Sequence, residues 1–204
     1  MRPDVKLRDV ELQNPNNLAT ERVEILVEEL SMSEFLKGFL PRILSEKYIL
    51  EQNYFIRPHN GKNDLQKSIP KKIRGFRNFH QPTKFVIVHD QDSNDCRTLK
   101  KELQGLCGAA SVLIRIPCRE LESWYLGDTD SLEALYPRFK SAQYRHRKAF
   151  RNPDECSAAA ELERLIPEFQ KVAAARSMAS RIAITTNTSP SFQAFVRGLE
   201  QFLA

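Results

Sequence analysis

The strongest constraint on the fold is a short, uninterrupted apolar run at residues 85–88, FVIV, which ends abruptly in the polar segment HDQDSND. A run without polar alternation is typical of a strand buried on both faces, as in a parallel sheet. ERVEILV at 21–27 and VLIRI at 112–116 also favour strands, and a fourth strand is predicted at 48–57. Strands separated by helical segments predict an α/β fold with a mostly parallel sheet flanked by helices.

The segments between these strands have the apolar spacing of amphipathic helices. From Ser31 to Leu44 apolar residues recur at every third and fourth position, and Ser31 with Glu34 has the spacing of a capping box. Pro41 is the one residue that disfavours a helix there. A second helix is predicted at 96–106. Its candidate caps are Ser93, Asn94 and Asp95.

The length of 204 residues suits one domain with additions. We predict a loose leader at 1–20 with a short strand near residues 10–12, and an α/β core at 21–128. A helical C-terminal extension at 129–204 is predicted to pack on the same domain. Its last helix is expected at 192–203, after the polar turn NTSPS.

The composition excludes several classes of protein. No apolar run approaches the ~18 residues of a membrane helix, and the first residues lack the apolar stretch of a signal peptide. We therefore expect a cytoplasmic protein without a membrane partner. The four cysteines are widely spaced and have no neighbouring histidine, which argues against structural zinc and indicates reduced, buried or partly buried thiols.

Positive charge is concentrated in two segments, although the formal net charge is only +5. Residues 57–84 contain eight Lys or Arg and one acid, and residues 138–151 contain six Lys or Arg and no acid. Such segments suit the phosphates of nucleic acid, and they are also typical of solvated helix faces. The candidate nucleic-acid-binding residues are Lys62, Lys71, Lys72, Arg74, Arg145, Arg147 and Lys148. The aromatic residues among them, which could stack on bases or belong to the core, are Phe76, Phe79, Tyr144 and Phe150.

Acidic residues follow three predicted strands directly or after a very short turn. Glu28 follows the first strand, Asp90 and Asp92 follow FVIV, and Glu120 and Glu122 follow VLIRIP. Because the carboxyl ends of parallel strands meet at one edge, these acids should converge there. Converging carboxylates without histidine or cysteine favour Mg²⁺ or Mn²⁺ over zinc. Acids after strands also cap helices, and the helical period sets Glu120 and Glu122 about 200° apart, so at most one faces the edge fully.

The motifs along the chain resemble those of a bacterial family. Five segments of this chain resemble the motifs of the family called domain of unknown function 4276 in their order and spacing, and they cover most of residues 22–198. They are VEELSMSEFLKGFLPRIL, GKNDLQKSIPKKIRGF, FVIVHDQDSNDC, RIPCRELESWYLGD and NTSPSFQAF. That family looks like a TOPRIM-fold relative of the overcoming-lysogenization-defect (OLD) nucleases. Its members resemble effector halves of bacterial defence systems that pair with an ABC-type ATPase.

The resemblance implies a TOPRIM-like, Rossmann-like sheet with a helical C-terminal extension. It assigns metal roles to Glu28, Asp90 and Asp92, with Glu120 or Glu122 as a further acid. Two positions depart from the family pattern, because relatives usually carry a glycine after the first glutamate and a second acid four residues on, and both are missing here. Here Met32 occupies the position of that second acid and completes the apolar stripe of the helix. Glu34 is a poorly placed substitute, so the case for a second metal position is weakened.

Two hypotheses of function follow. In the first, the protein is a Mg²⁺- or Mn²⁺-dependent nuclease in which Asp90 and Asp92 hold an ion and Glu28 holds a second ion or acts as general base. Glu122 would complete the ligands. In the second, the TOPRIM-like edge is degenerate and the protein is a non-catalytic partner that docks an ABC-type ATPase or RNA. The sequence does not distinguish DNA from RNA, and it has no G-x-x-x-x-G-K-[ST] loop for nucleotide phosphates.

Overall fold

Within residues 21–204, which the computed structural model describes, the protein is built on one sheet of four parallel strands. The strands are β1 (Arg22–Val27), β2 (Tyr54–Pro58), β3 (Thr83–Val88) and β4 (Val112–Arg115), in the order β2-β1-β3-β4. The chain leaves β1 towards one edge and returns on the other side of β1 as β3. This reversal creates a topological switch point at the carboxyl ends of β1 and β3, where ligands bind in such sheets. The predicted leader and its short strand lie outside the described residues.

Helices cover both faces of the sheet. Those between the strands of the described chain are α1 (Leu30–Phe39), α2 (Lys62–Phe76) and α3 (Cys96–Cys107). Alternate residues of a strand point to opposite faces. Val23, Ile25 and Val27 therefore pack in the larger core with α1, whereas Leu26 packs in the smaller core with α2 and α3. The residues of FVIV divide between the two cores in the same way, which confirms the parallel α/β prediction.

Seven further helices follow β4 in the described part of the chain. They are α4 (Glu122–Leu126), α5 (Thr129–Leu135), α6 (Ser141–Tyr144), α7 (Lys148–Arg151), α8 (Ala158–Leu165), α9 (Lys171–Ala179) and α10 (Pro190–Leu203). Trp124 is completely buried, with the ring centroids of Phe35, Phe192 and Phe195 at 4.9–5.7 Å. These helices therefore share the larger core with the sheet. The domain boundary at residue 128 stays a prediction.

Helix α1 begins and ends differently from the sequence prediction. It ends at Phe39, earlier than predicted, and continues only as a 3-10 turn at Leu40–Arg42, because Pro41 lacks an N–H to donate. The predicted capping box does not form, since no side chain caps the first turn and the Glu34 carboxylate pairs with Arg176 at 2.7 Å. Tertiary partners thus prevail over the local pattern.

Side chains also decide where β2 and α3 begin. Strand β2 begins at Tyr54, later than predicted, because the Asn53 side chain accepts a hydrogen bond from Ile49 N at 2.7 Å and folds the preceding segment into a turn. Of the three candidate caps for α3, the structure uses Asp95, whose carboxylate accepts from Thr98 N at 2.8 Å.

Two exclusions drawn from the sequence can be compared with the structure. Cys107 is buried and the other three cysteines are partly buried, and all four are free thiols as predicted. No helix within residues 21–204 is both long and apolar enough to cross a membrane.

Helix α4 ends at a glycine that its surroundings require. A Cβ added to Gly127 would meet the Asn187 side chain and lie 2.9 Å from Ser189 N. Asn187 is fixed there because it donates to Trp124 O and accepts from Ser189 N, both at 2.8 Å. We expect G127A to lower the free energy of unfolding by about 1–3 kcal/mol, the range for overpacking.

Urea unfolding measures this change, with G105A as the matched control. Gly105 lies inside α3, where a Cβ would meet nothing within 4 Å. Alanine there should raise the free energy of unfolding by up to about 1 kcal/mol, because its helix propensity is higher. A G127A variant as stable as the wild type would contradict the packing around α4.

Candidate functional site

Acids from three strand ends come together at the switch point between β1 and β3. Glu28 follows β1, Asp90 lies two residues after β3, and Glu122 begins α4 after β4. The Glu28 carboxylate accepts a hydrogen bond from Asp90 N at 3.2 Å. The charges of Glu122, Glu28 and Asp92 all act on the Asp90 carboxyl. We call Glu28, Asp90, Asp92 and Glu122 the acid cluster.

Burial and mutual repulsion raise the pKa of three members of the acid cluster. Desolvation, and then the charge of Glu122, raise the pKa of Asp90 well above its usual value. Desolvation raises the pKa of Glu122 to about 7, although Lys171 opposes this shift. Burial also raises the pKa of Glu28, with His89 acting in the opposite direction. The acid cluster is therefore costly to ionise without added positive charge.

Glu120 and Glu122 make different contacts, and Glu120 lies outside α4, so the angle expected from the helical period does not apply to this pair. Glu122 is only 2% exposed, and its Oε1 atom has no hydrogen-bond partner among the described residues. Lys171 Nζ lies 4.0 Å from that atom. Glu120 Oε1 instead accepts from Ala159 N at 2.8 Å and so satisfies an N–H group in the first turn of α8. We therefore leave Glu120 out of the proposed ligands.

Basic side chains from other elements contact the acid cluster. Lys62, at the start of α2, pairs with Asp92 at 3.1 Å, and Asp92 is 41% exposed. His89 is completely buried, with Nδ1 at 3.2 Å from Glu28 Oε2. The sequence analysis missed His89 and Lys171. The position of His89 between a buried strand and Asp90 could have indicated it, whereas nothing local to Lys171 indicates its place.

The loop after β3 is tied to the loop after β4 through the backbone. Asp92 and Arg119 have left-handed φ angles of 52° and 62°, which non-glycine residues rarely adopt. Asp92 N donates to Arg119 O at 2.8 Å, and Arg119 N donates to the Gln91 side chain at 3.1 Å. Strained residues of this kind cluster at functional sites, and here they fix the direction of Asp92.

The candidate nucleic-acid contacts on α2 are open to solvent. Lys71 and Arg74 are exposed, and Lys72 is partly exposed. None of these three pairs with an acid anywhere in residues 21–204. Lys62 lies at the start of the same helix and contacts the acid cluster. Further along α2 than Lys62, three cations thus lie outside the acid cluster. We call Lys71, Lys72 and Arg74 the α2 basic face.

The candidate contacts in the second basic segment are partly neutralised. Arg145 pairs with Asp130 at 3.3 Å, and Lys148 lies 3.8 Å from another carboxylate. The Arg147 guanidinium lies over the Tyr144 ring, 4.5 Å from its centroid. Less positive charge is therefore available here than on the α2 basic face.

The aromatic residues among the basic ones belong mainly to the core. Phe150 is buried and packs on Phe139, which also stacks on Tyr144 at 4.8 Å between ring centroids. Phe76 packs partly buried on the smaller core. Phe79 is 37% exposed. Of the four candidates for base stacking, Phe79 has the most accessible ring.

The donor chemistry of the acid cluster suits a hard divalent cation. All four members offer carboxylate oxygens, the ligands that Mg²⁺ and Mn²⁺ prefer, and the unpartnered Oε1 of Glu122 is buried. Across residues 21–204, no three Asp, Glu, His or Cys side chains are already arranged to hold an ion. The residue types suit a divalent ion, but the side chains are not yet arranged around one. Asp92 would have to release Lys62 in order to bind the ion.

Similar structures define the class of this fold. The C-terminal region of the Burkholderia pseudomallei OLD protein has a TM-score of 0.55 at 16% identity, covering 90% of this chain and 97% of that chain. The C-terminal region of the Xanthomonas campestris pv. campestris OLD protein has a TM-score of 0.49 at 14% identity, covering 90% of this chain and 94% of that chain. The Burkholderia structure and the parallel sheet define a TOPRIM-like α/β protein, as predicted.

Sequence comparison then gives the family. No curated protein matches the chain. The family described as Domain of unknown function (DUF4276) matches residues 27–200. The chain therefore belongs to this family, which confirms the resemblance drawn from its motifs.

The raised pKa of Glu122 makes stability depend on pH. Between pH 4.5 and about 7 the folded state binds more protons at Glu122 than the unfolded state does, so stability falls as pH rises through that window. In metal-free buffer we expect E122Q to match the wild type near pH 4.5. At pH 8 the free energy of unfolding of E122Q should exceed that of the wild type by about 3 kcal/mol.

Urea unfolding across this pH range, in the presence of a chelator, measures the difference. E120Q is the matched control, because a glutamine Oε1 can still accept the hydrogen bond from Ala159 N. We expect E120Q to show no pH-dependent difference from the wild type. If the difference in free energy of unfolding between E122Q and the wild type stayed constant from pH 4.5 to 8, the pKa of Glu122 would not be raised, and its buried, acid-rich surroundings would be ruled out.

Proposed function

We propose that the protein is a Mg²⁺- or Mn²⁺-dependent nuclease that hydrolyses phosphodiester bonds in DNA or RNA. The observation that carries this proposal is the convergence of Glu28, Asp90 and Glu122 from three strand ends, with pKa values raised by burial and by neighbouring charges. Such a cluster is unfavourable unless positive charge is added, and a divalent ion supplies that charge. The resemblance of the family to OLD nucleases supports the same class of activity.

The members of the acid cluster would have separate roles. Asp90 and Asp92 would hold an ion, Glu122 would be a further ligand, and Glu28 would hold a second ion or act as general base. A bound ion would polarise a phosphoryl oxygen and stabilise the leaving oxygen. His89 Nδ1 is hydrogen-bonded to Asp90 O at 2.6 Å and lies 3.2 Å from Glu28 Oε2, so the imidazole lies between the two carboxylate-bearing residues. Asp92 has the access to solvent that a substrate-facing ligand needs.

The α2 basic face is the favoured contact for nucleic acid. Among residues 21–204 its three cations pair with no acid, and Lys62 at the start of the helix contacts Asp92. Lysine and arginine beside an acidic site can hold the phosphate backbone that the acids alone would repel. The second basic segment would contribute less, because Arg145 already pairs with Asp130.

A role in bacterial defence extends the proposal. Members of the family resemble effector halves that pair with an ABC-type ATPase, so we propose the same partner for this chain. Such an effector acts in the cytoplasm, where its nucleic-acid substrates are found.

A second candidate function is that of a non-catalytic binding partner for the ATPase or for RNA. Met32 favours it, because this side chain is 4% exposed and packs in the larger core where relatives carry a second acid. The pairing of Asp92 with Lys62 also suits an edge that binds no metal. The two candidates differ in whether an ion is bound and whether nucleic acid is cleaved.

Cleavage of single- and double-stranded DNA and RNA with Mg²⁺, Mn²⁺ or chelator tests the nuclease function. We expect metal-dependent cleavage by the wild type. In D90N/D92N the rate should fall more than about 100-fold, beyond the effect of altering an outer-shell partner, because two carboxylates that hold the ion are lost.

D95N is the matched control for this experiment. It removes a neighbouring carboxylate yet preserves the α3 cap, because asparagine caps helices about as well as aspartate. Cleavage by D95N should equal that of the wild type. Activity that survives in D90N/D92N overturns the proposal, and a wild type that binds neither ion but still binds RNA or the ATPase supports the second candidate.

Salt-dependent binding of an oligonucleotide, measured by fluorescence anisotropy in chelator, tests the α2 basic face. Each lost phosphate contact lowers the slope of log affinity against log salt by about one. We therefore expect K71Q/R74Q to lower the slope by about two and to weaken binding.

R145Q/K148Q removes the same number of cations from the second basic segment and is the control. Because these side chains have acidic neighbours, the slope should change little. An equal change in the salt slope for the two double variants would contradict the proposal that nucleic acid binds mainly to the α2 basic face.

A further inference from the structure

Two buried polar atoms without partners lie on the same face of α4. Among the described residues, the Tyr125 hydroxyl and Glu122 Oε1 are buried and form no hydrogen bond. The two residues are three positions apart, which places them on one side of the helix. Buried polar groups are almost always hydrogen-bonded, so two neighbouring exceptions point to a partner that each lacks in this state.

The core holds the Tyr125 side chain on the same side of α4 as Glu122. The ring is completely buried and packs against Phe35, with ring centroids 5.8 Å apart. Burial, and then the charges of Glu122 and Asp90, raise the pKa of Tyr125 well above its usual value. The core therefore fixes the ring that carries the hydroxyl.

We propose that Tyr125 is a positioning residue that donates a hydrogen bond to the ionised Glu122 carboxylate, directly or through one water molecule. This role rests on the proposed metal-binding function. A carboxylate that binds an ion is usually held in place by a hydrogen-bond donor from the protein. Tyr125 thus prepares Glu122 to act as a ligand beside Asp90.

The chemistry of the side chain separates this role from simple packing. A phenylalanine at position 125 would fill the same apolar space and contact Phe35 in the same way. The hydroxyl adds a buried polar group that is unfavourable while it has no partner. Its contribution is therefore expected only when an ion is bound at Glu122.

Mn²⁺ binding and thermal unfolding of the full chain and its Y125F variant test this role. We expect Y125F to weaken Mn²⁺ binding about tenfold, the effect of losing a partner of a metal ligand. Without metal, the Tm of Y125F should equal or exceed that of the wild type, because the unpartnered hydroxyl is gone and the ring remains. A purely structural role would lower the Tm and leave Mn²⁺ binding unchanged.

Y48F is the matched control. The Tyr48 hydroxyl is bonded to the Glu21 carboxylate at 2.8 Å and to Leu203 O at 3.0 Å. Y48F should therefore lower the Tm and leave Mn²⁺ affinity unchanged. Equal Mn²⁺ affinity in Y125F and the wild type overturns the role of Tyr125 and leaves the proposed function standing. A wild type that binds no Mn²⁺ overturns both.

Discussion

Repulsion among carboxylates at one edge of the sheet is the constraint on which the surrounding elements depend. Asp90 lies at the centre of this repulsion, with the charges of Glu122 and Glu28 acting on it. Separate parts of the chain offset it: α2 supplies Lys62, and α9 supplies Lys171. Helix α2 packs in the smaller core and α9 in the larger core, so the two cations come from opposite layers of the fold.

The C-terminal helices are consequently part of the site. Helix α8 donates a hydrogen bond from Ala159 N to the Glu120 carboxylate. Helix α9 brings Lys171 to Glu122, and α4 is held in the larger core by the buried Trp124. A core that ended at residue 128 would contain the acids but would lack Ala159, which binds Glu120, and Lys171, which lies beside Glu122.

The sheet and the strand-end acids could be predicted from the sequence because they depend on short, local patterns. The run FVIV predicts a buried strand, and Asp90, two residues after it, therefore lies at the carboxyl end of that strand. The helical period could not decide between Glu120 and Glu122, because Glu120 lies outside α4 and its partner Ala159 belongs to another helix. Lys171 could not be predicted, since only the tertiary fold brings it to the site. The start of β2 could not be predicted either, because the hydrogen bond from Ile49 N to the Asn53 side chain forms a turn where the local pattern predicts a strand.

Met32 bears on how many ions the proposed site would hold. Its side chain packs in the larger core, and the nearby Glu34 is bound to Arg176, so neither residue supplies a ligand for a second ion. With ligands for one ion only, Glu28 would be free to take a proton from the attacking water. A general base works best when its pKa approaches the working pH, and burial raises the pKa of Glu28 in that direction. Within the proposed function, the departure at Met32 thus favours a general-base role for Glu28 over a metal-ligand role.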